Sequence, residues 1–267
     1  MSEWTSGTPL RGVNTTVAHN ARVWNFWLEG KDNYAVDREV GEHIQQMFPL
    51  IADVARADRG FLKRAVAHLA GEVGIRQFLD IGTGLPTADN THQVAQQIAP
   101  ESDIVYVDND PLVLTHARAL LTSSPLGRTD YVEADARHTD EILRAASRTL
   151  NFEQPIAVML LGILNFIPET AQAAEVVHQL VRAIPSGSYV VISHPTTELD
   201  GEANREAMAF WNENATPPIT ARSGEDVAAF AHGLELLEPG LVSCARWRNP
   251  DASEPSVPQY GLVARKS

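Results

Sequence analysis

One cysteine, Cys244, stands in 267 residues. That excludes an intrachain disulfide and a CxxC zinc site, and it suits a reducing compartment. Basic residues are scarce: 21 Lys and Arg face 34 Asp and Glu, a net charge of −13. Nucleic-acid binding wants clustered Lys and Arg for phosphate contacts, so that class of partner is disfavoured. Long apolar runs are missing too. The longest, Ile156 to Leu164, falls far short of the ~20 residues of a membrane span. The first residues, MSEWTSGTPLRGVNTT, lack the apolar stretch of a secretory signal. No repeat with a period of about 20–50 residues is visible. The expectation is a cytoplasmic protein with no membrane or nucleic-acid partner. The charge says nothing of oligomeric state. What is present is ordinary globular material: 44% apolar and 21% charged residues, enough for a core without staples.

The hydrophobic period changes along the chain. The first seventy or so residues read as helical. Arg22 to Glu29 is one predicted helix, with Gly30 stopping it in a left-handed conformation. Val36 to Met47 is a second, and Pro49 opens a third. In the third, Ile51, Val54, Ala55, Leu62, Ala65, Val66, Leu69 and Val73 mark one buried face. After Gly74 come short apolar stretches at Gln77 to Ile81, Ile104 to Val107, Tyr131 to Glu133, Ile156 to Leu161 and Tyr189 to Ser193. Stretches of helical length separate them. Strands alternating with helices imply a parallel sheet covered on both faces. Leu236 to Trp247 and Tyr260 to Lys266 read as an antiparallel pair at its edge. Residues 1–74 are expected to form a helical segment and lid. Residues 75–267 are expected to form the core, with an insertion at about 195–223. Ligands of such sheets bind beyond the carboxyl ends of the strands.

The sharpest local feature is Phe78-Leu79-Asp80-Ile81-Gly82-Thr83-Gly84-Leu85-Pro86-Thr87, a strand running into a glycine turn. Gly82 and Gly84 can take positive φ and admit a ligand close to the backbone. A lone G-x-G is weak evidence. Three acids strengthen it: Asp80, Asp108 and Asp135 each end a predicted strand, so the fold gathers them along one crevice. The acid after the second strand is the ribose acceptor of dinucleotide folds. Asp80 separates the cofactors. A pyrophosphate wants N–H groups and is repelled by a carboxylate in the loop. S-adenosylmethionine has no phosphate and carries two cationic groups, which Asp80 attracts. Thr87 also stands where a nicotinamide fingerprint has its third glycine.

With these residues in view, the sequence resembles class I S-adenosylmethionine-dependent methyltransferases. More narrowly, it is similar to a bacterial S-adenosyl methyltransferase family long carried as a domain of unknown function. Two stretches carry the resemblance, which extends from about residue 15 to the end. One is Ala21-Arg22-Val23-Trp24-Asn25-Phe26-Trp27-Leu28-Glu29-Gly30-Lys31-Asp32-Asn33-Tyr34-Ala35-Val36-Asp37-Arg38. The other is Phe78 to Thr87 with Asn90-Thr91-His92 and Tyr106-Val107-Asp108-Asn109-Asp110-Pro111. The resemblance implies a Rossmann-like sheet of seven strands with the last antiparallel. It implies Gly82, Thr83 and Gly84 against the methionine half of S-adenosylmethionine. It implies Asp108 on the ribose with Asn109 beside the adenine, and Asp135 on the adenine amino group with Ala136 packed nearby. Gly162 would lie beside the sulfonium. Lys31 to Tyr34 would fold over the cofactor, with Tyr34 in contact.

Methyl transfer from a sulfonium is an in-line displacement, so alignment in a dry site supplies much of the catalysis. A base is needed only for a protonated acceptor. Many small-molecule O-methyltransferases place a His after the fourth strand; this chain has Asn165 there, which is no base at neutral pH. The Asn-Pro-Pro-Tyr signature of several amino-group methyltransferases is absent as well. His194, His92, Asp32 and Asp37 are the other candidate bases, each with an ordinary capping or loop role as its competitor. Arg38 could clamp a carboxylate. Trp24, Phe26 and Trp27 read as packing whose edge could line an aromatic pocket. No carboxylate pair suggests a metal. The reading is a methyltransferase acting on a small molecule, with the catalytic residue open. The alternatives are a non-catalytic S-adenosylmethionine-binding regulator and an NAD-dependent oxidoreductase.

Overall fold

The computed structural model of the chain describes residues 14–86, 89–120, 122–199, 201–251 and 253–267. Residues 1–13 and Thr87, which entered the reading above, lie outside them. From the N-terminus come β1 (Ala18–His19), α1 (Asn20–Trp27), α2 (Ala35–Met47) and α3 (Ile51–His68). The third helix ends in a π-turn, Leu69–Val73, which Gly74 closes at φ +87°. The wider turn carries Val73 off the buried stripe, and it is exposed rather than buried as its spacing predicts.

Strands and helices then alternate: β2 (Gln77–Ile81), α4 (Thr91–Ile98), β3 (Asp103–Asp108), α5 (Pro111–Leu120), β4 (Thr129–Glu133), α6 (Thr139–Ala146), β5 (Ala157–Leu161), α7 (Thr170–Ala183) and β6 (Tyr189–Pro195). After these come α8 (Gly201–Asn214), β7 (Ala215–Thr216), α9 (Gly224–Ala229), β8 (Glu235–Leu236), β9 (Val242–Ser243) and β10 (Gln259–Arg265). The sheet order is β4-β3-β2-β5-β6-β10-β8, with β9 also on β10. The first five strands are parallel and β10 runs antiparallel to β6. The mostly parallel α/β sheet with an antiparallel addition is therefore present.

Alternation along each strand splits the core in two. Phe78, Ile104, Tyr106, Met159 and Val191 face a cluster shared with α1, α2 and α3. Leu79, Val105, Val158, Leu160 and Ile192 face a second cluster with α6, α7 and α9. Both faces are covered, which is why the strands read as nearly continuous apolar runs.

Two expectations need correction. Leu236 to Trp247 is not one strand. Pro239 and Gly240, the latter at φ +80°, interrupt it, and only Glu235–Leu236 and Val242–Ser243 pair with β10. Gly30 does not supply the left-handed residue after α1; Glu29 does, at φ +60°. Gly30 is required for space instead, because a Cβ there would sit 2.2 Å from the Asn25 side chain. The segment also pairs unexpectedly with the insertion: Ala18 and His19 of β1 run parallel to Ala215 and Thr216 of β7. Among the described residues no helix is long and apolar enough to cross a membrane.

Candidate functional site

The carboxyl ends of β2, β3 and β5 open onto two adjoining cavities. Asn20, Gly82, Gly84, Gly162 and Phe166 line both of them.

The first cavity is polar. Asp108 and Asn109 line it from the end of β3, and Asp135, Ala136 and Arg137 from the turn after β4. Gly82 and Gly84 stand at φ +79° and +67°, the backbone shape that glycine accepts at little cost. A Cβ on Gly82 would also strike Ile163 at 2.6 Å. The loop's own N–H groups are already engaged. Gly82 and Thr83 donate to the Val107 carbonyl at 2.8 and 3.3 Å. Gly84 donates to Asp108 at 2.9 Å, and the other Asp108 oxygen accepts the Asp110 N–H at 2.9 Å. Burial pushes the Asp108 carboxyl up, and the two N–H donors oppose that shift. Gly82, Thr83 and Gly84 thus offer no fresh N–H to a pyrophosphate, whereas each Asp108 oxygen keeps a lone pair for a hydroxyl. Asp135 is held by Arg137 through bonds of 2.8 and 2.6 Å, which draw its carboxyl down to about 2. Asp110 caps α5 through the Leu112 N–H and pairs with His19 at 3.1 Å, fastening the N-terminal segment to the rim.

The second cavity is mostly apolar. Trp24, Trp27, Leu62, Phe166, Met208 and Trp211 form much of its wall, drawn from α1, α3, α8 and the turn after β5. Asp80 and Thr83 line it near the glycine loop. Asp80 is buried and accepts the Thr91 hydroxyl at 2.6 Å. Burial pushes its carboxyl up to about 6, with the Thr91 bond and the Arg59 charge acting against that. Three polar residues that sequence reasoning missed, or saw only in part, also face this space. Asp58 of α3 is buried and accepts the Gln259 amide at 3.1 Å, with the Ser193 hydroxyl beside it. Asn165 is buried, and its Oδ1 has no hydrogen-bond partner among the described residues. The same holds for Oδ1 of Asn20, at the junction. The available signal for Asp58 was an acid inside a stripe of Val54, Ala55 and Leu62.

Tyr34 lines neither cavity, which departs from the expected lid. Its N–H is capped by Asp37 at 2.8 Å, and Arg22 lies over its ring at 5.2 Å. Asn25 holds the preceding loop by accepting the Asp32 N–H and the Asn33 amide, each at 3.0 Å. Lys31 likewise lines neither cavity.

The candidate bases find other work. In His194, Nδ1 lies 2.9 Å from the Pro195 carbonyl and Nε2 lies 2.8 Å from Arg222. A guanidinium can only donate, so Nε2 is the acceptor and the proton sits on Nδ1. Burial lowers this imidazole to about 3. His92 is bonded to the Tyr106 hydroxyl at 2.8 Å. Asp37 is fully buried against Arg22, and Asp32 lies 3.6 Å from His116. Arg38 donates to Asn33. Trp24 and Trp27 do line the apolar cavity, while Phe26 packs over Gly41 instead. No cluster of metal-ligating side chains occurs among the described residues.

A doubly wound sheet with a glycine turn, strand-end acids and an adjoining apolar chamber defines the Rossmann-like methyltransferase class. Within it, the model of the family described as S-adenosyl methyltransferase matches residues 6–267, and the chain belongs to that family. It is an S-adenosylmethionine-dependent methyltransferase. A DUF574 family protein from Streptomyces avermitilis is 41% identical, with 95% of this chain and 99% of that one covered, at a TM-score of 0.91. A candidate methyltransferase from Thermobifida fusca is 35% identical over 98% of this chain and 100% of that one, at 0.87. An O-methyltransferase family 2 protein from Planctomyces limnophilus, in complex with apigenin, shares the fold at a TM-score of 0.50 and 15% identity. That likeness covers 83% of this chain and 61% of that one. No curated protein matches the chain.

Proposed function

We propose that the polar cavity holds the adenosine half of S-adenosylmethionine and that the second cavity admits a small, largely apolar methyl acceptor. One observation carries the reading: the two cavities meet at the glycine loop and Gly162, at the ends of β2 and β5. Asp108 would accept the ribose hydroxyls, with Asn109 and Ala136 flanking the adenine and Asp135 accepting its amino group. Gly82, Thr83 and Gly84 would face the methionine half, and Asp80 would attract its ammonium. When bound, the cofactor supplies an activated methyl group. The chain's part is to align the acceptor and keep water away. Three tryptophans on the wall suit that second task, since they bury large apolar area.

Calorimetry with S-adenosylhomocysteine, S-adenosylmethionine and NAD tests this. The expected result is saturable binding of the first two and none of the third. An absence of binding by both adenosyl compounds overturns it. Transfer of labelled methyl groups into a metabolite extract then separates an enzyme from a non-catalytic binder.

A further inference from the structure

The apolar cavity is not uniformly apolar, and two of its polar side chains offer acceptor oxygens, Asp58 and Asn165. Asp58 is 6% exposed and Asn165 2% exposed, and both line it. Asp58 projects from a helix face that is otherwise Val54, Ala55, Phe61 and Leu62. Its carboxylate is fixed by the Gln259 amide, which itself lies 3.3 Å from the Ser193 hydroxyl. The same amide nitrogen lies 3.8 Å from where a Cβ on Gly162 would sit, so the cluster adjoins the junction of the two cavities. Asn165 presents an acceptor oxygen without a partner among the described residues. A buried acceptor left unsatisfied is destabilising, and a ligand donor can satisfy it. Two carboxylates, Asp58 and Asp80, and one guanidinium, Arg59, line this space. A ligand carboxylate would meet more like charge than opposite charge there.

We propose that the methyl acceptor is a largely apolar molecule whose reacting group is a hydroxyl or amine, directed at Asp58 and Asn165, and that Asp58 receives its proton. This rests on the cofactor placement above. In the step, the acceptor's oxygen or nitrogen bonds the methyl carbon as the carbon–sulfur bond breaks, its electron pair staying on sulfur. Asp58 takes the proton that the acceptor loses. Asn165 positions the acceptor, taking the second N–H of an amine or sharing the single O–H of a hydroxyl with Asp58 in a three-centre bond.

The test uses the full chain saturated with S-adenosylhomocysteine and three probes of one shape: 2-naphthol, 2-methylnaphthalene and 2-naphthoate. Equilibrium dialysis measures their binding. The expected order is 2-naphthol tightest, about tenfold ahead of 2-methylnaphthalene, with 2-naphthoate excluded. Asp58→Asn and Asn165→Leu should each shrink the lead of 2-naphthol to about threefold or less, with S-adenosylhomocysteine affinity unchanged. Equal binding of 2-naphthol and 2-methylnaphthalene by the unaltered protein overturns the proposal without any variant. So does a lead that survives in Asp58→Asn, or tight binding of 2-naphthoate. Failure of S-adenosylhomocysteine to bind instead overturns the cofactor reading on which the proposal stands.

Discussion

The two cavities share five lining residues and are built in opposite ways. The polar one is made of strand ends and tight turns: Gly82, Gly84, Asp108 and Asp135 lie where parallel strands stop. The apolar one is made of side chains from helices far apart in the sequence, with Trp24 from α1, Asp58 from α3 and Trp211 from α8. A sheet places its strand ends by hydrogen-bond register, so the first kind of site follows from local pattern. The second exists only once distant helices are docked.

Docking is where the largest effect is expected. Arg222, 4% exposed, donates to the carbonyls of Leu164, Ile167 and Pro168 and to the Thr170 hydroxyl, besides meeting His194. It pins the return of the insertion to the turn that carries Asn165. Arg222→Ala should cost about 3 kcal/mol or more, because several buried acceptors lose their donor. Calorimetric melting should show a fall of about 6–12 °C. A fall of under ~2 °C would mean that the insertion is held elsewhere.

The polar side comes next. Asp108→Asn removes the charge that organises the Gly84 and Asp110 N–H groups. S-adenosylhomocysteine binding should weaken by about 10–100-fold. The apolar side should respond the other way round. Trp24→Ala should leave that affinity within about twofold and weaken 2-naphthol by about tenfold, the worth of a lost aromatic wall. If one substitution moves both ligands equally, the division between the cavities fails.

Smaller effects come from titration. Asp80 sits at about 6 against an ordinary 3.8, with Arg59 opposing the rise and the carboxylates of Asp108 and Asp58 adding to it. Its neutral form is favoured by folding. That contribution to stability is full below about pH 4 and is lost as pH rises through about 6. Attraction for the ligand's ammonium runs oppositely and needs the ionised form. S-adenosylhomocysteine affinity should therefore climb severalfold from about pH 5 to about pH 7, and Asp80→Asn should flatten that slope. The smallest effect is expected at His194. A base there would be worth about 100-fold or more. With both ring nitrogens engaged, His194→Gln should change methyl turnover into an extract by no more than about twofold.

Much of the polar cavity was legible before any coordinates. Asp108 and Asp135 follow apolar runs too short for helices, as does Asp80 beside the second cavity, and Gly82 and Gly84 mark the turn. Asp110 was less so, because its bond to His19 joins segments that no periodicity connects. Tyr34 lies outside the lining of both cavities for a related reason. Its motif is specific as a string, but Asp37, Arg22 and Asn25 spend it on closing the loop before α2. The Leu236 to Trp247 strand failed because apolar content outweighed Pro239 and Gly240 in the reading.

The sequence by itself determined the alternation of strands and helices, the two-faced sheet and the acids at its strand ends. These depend on side-chain period and turn chemistry, which act between neighbours. Tertiary structure alone decided that Gly30 is small for Asn25 rather than for its φ, and that His194 is locked against Arg222. It alone decided that β1 pairs with β7, and that Asp58 and Asn165 share a chamber with three tryptophans. Each of these is a contact between segments that meet only after the helices close over the sheet. No local preference records such a meeting, because its free energy comes from groups that share nothing in the unfolded chain.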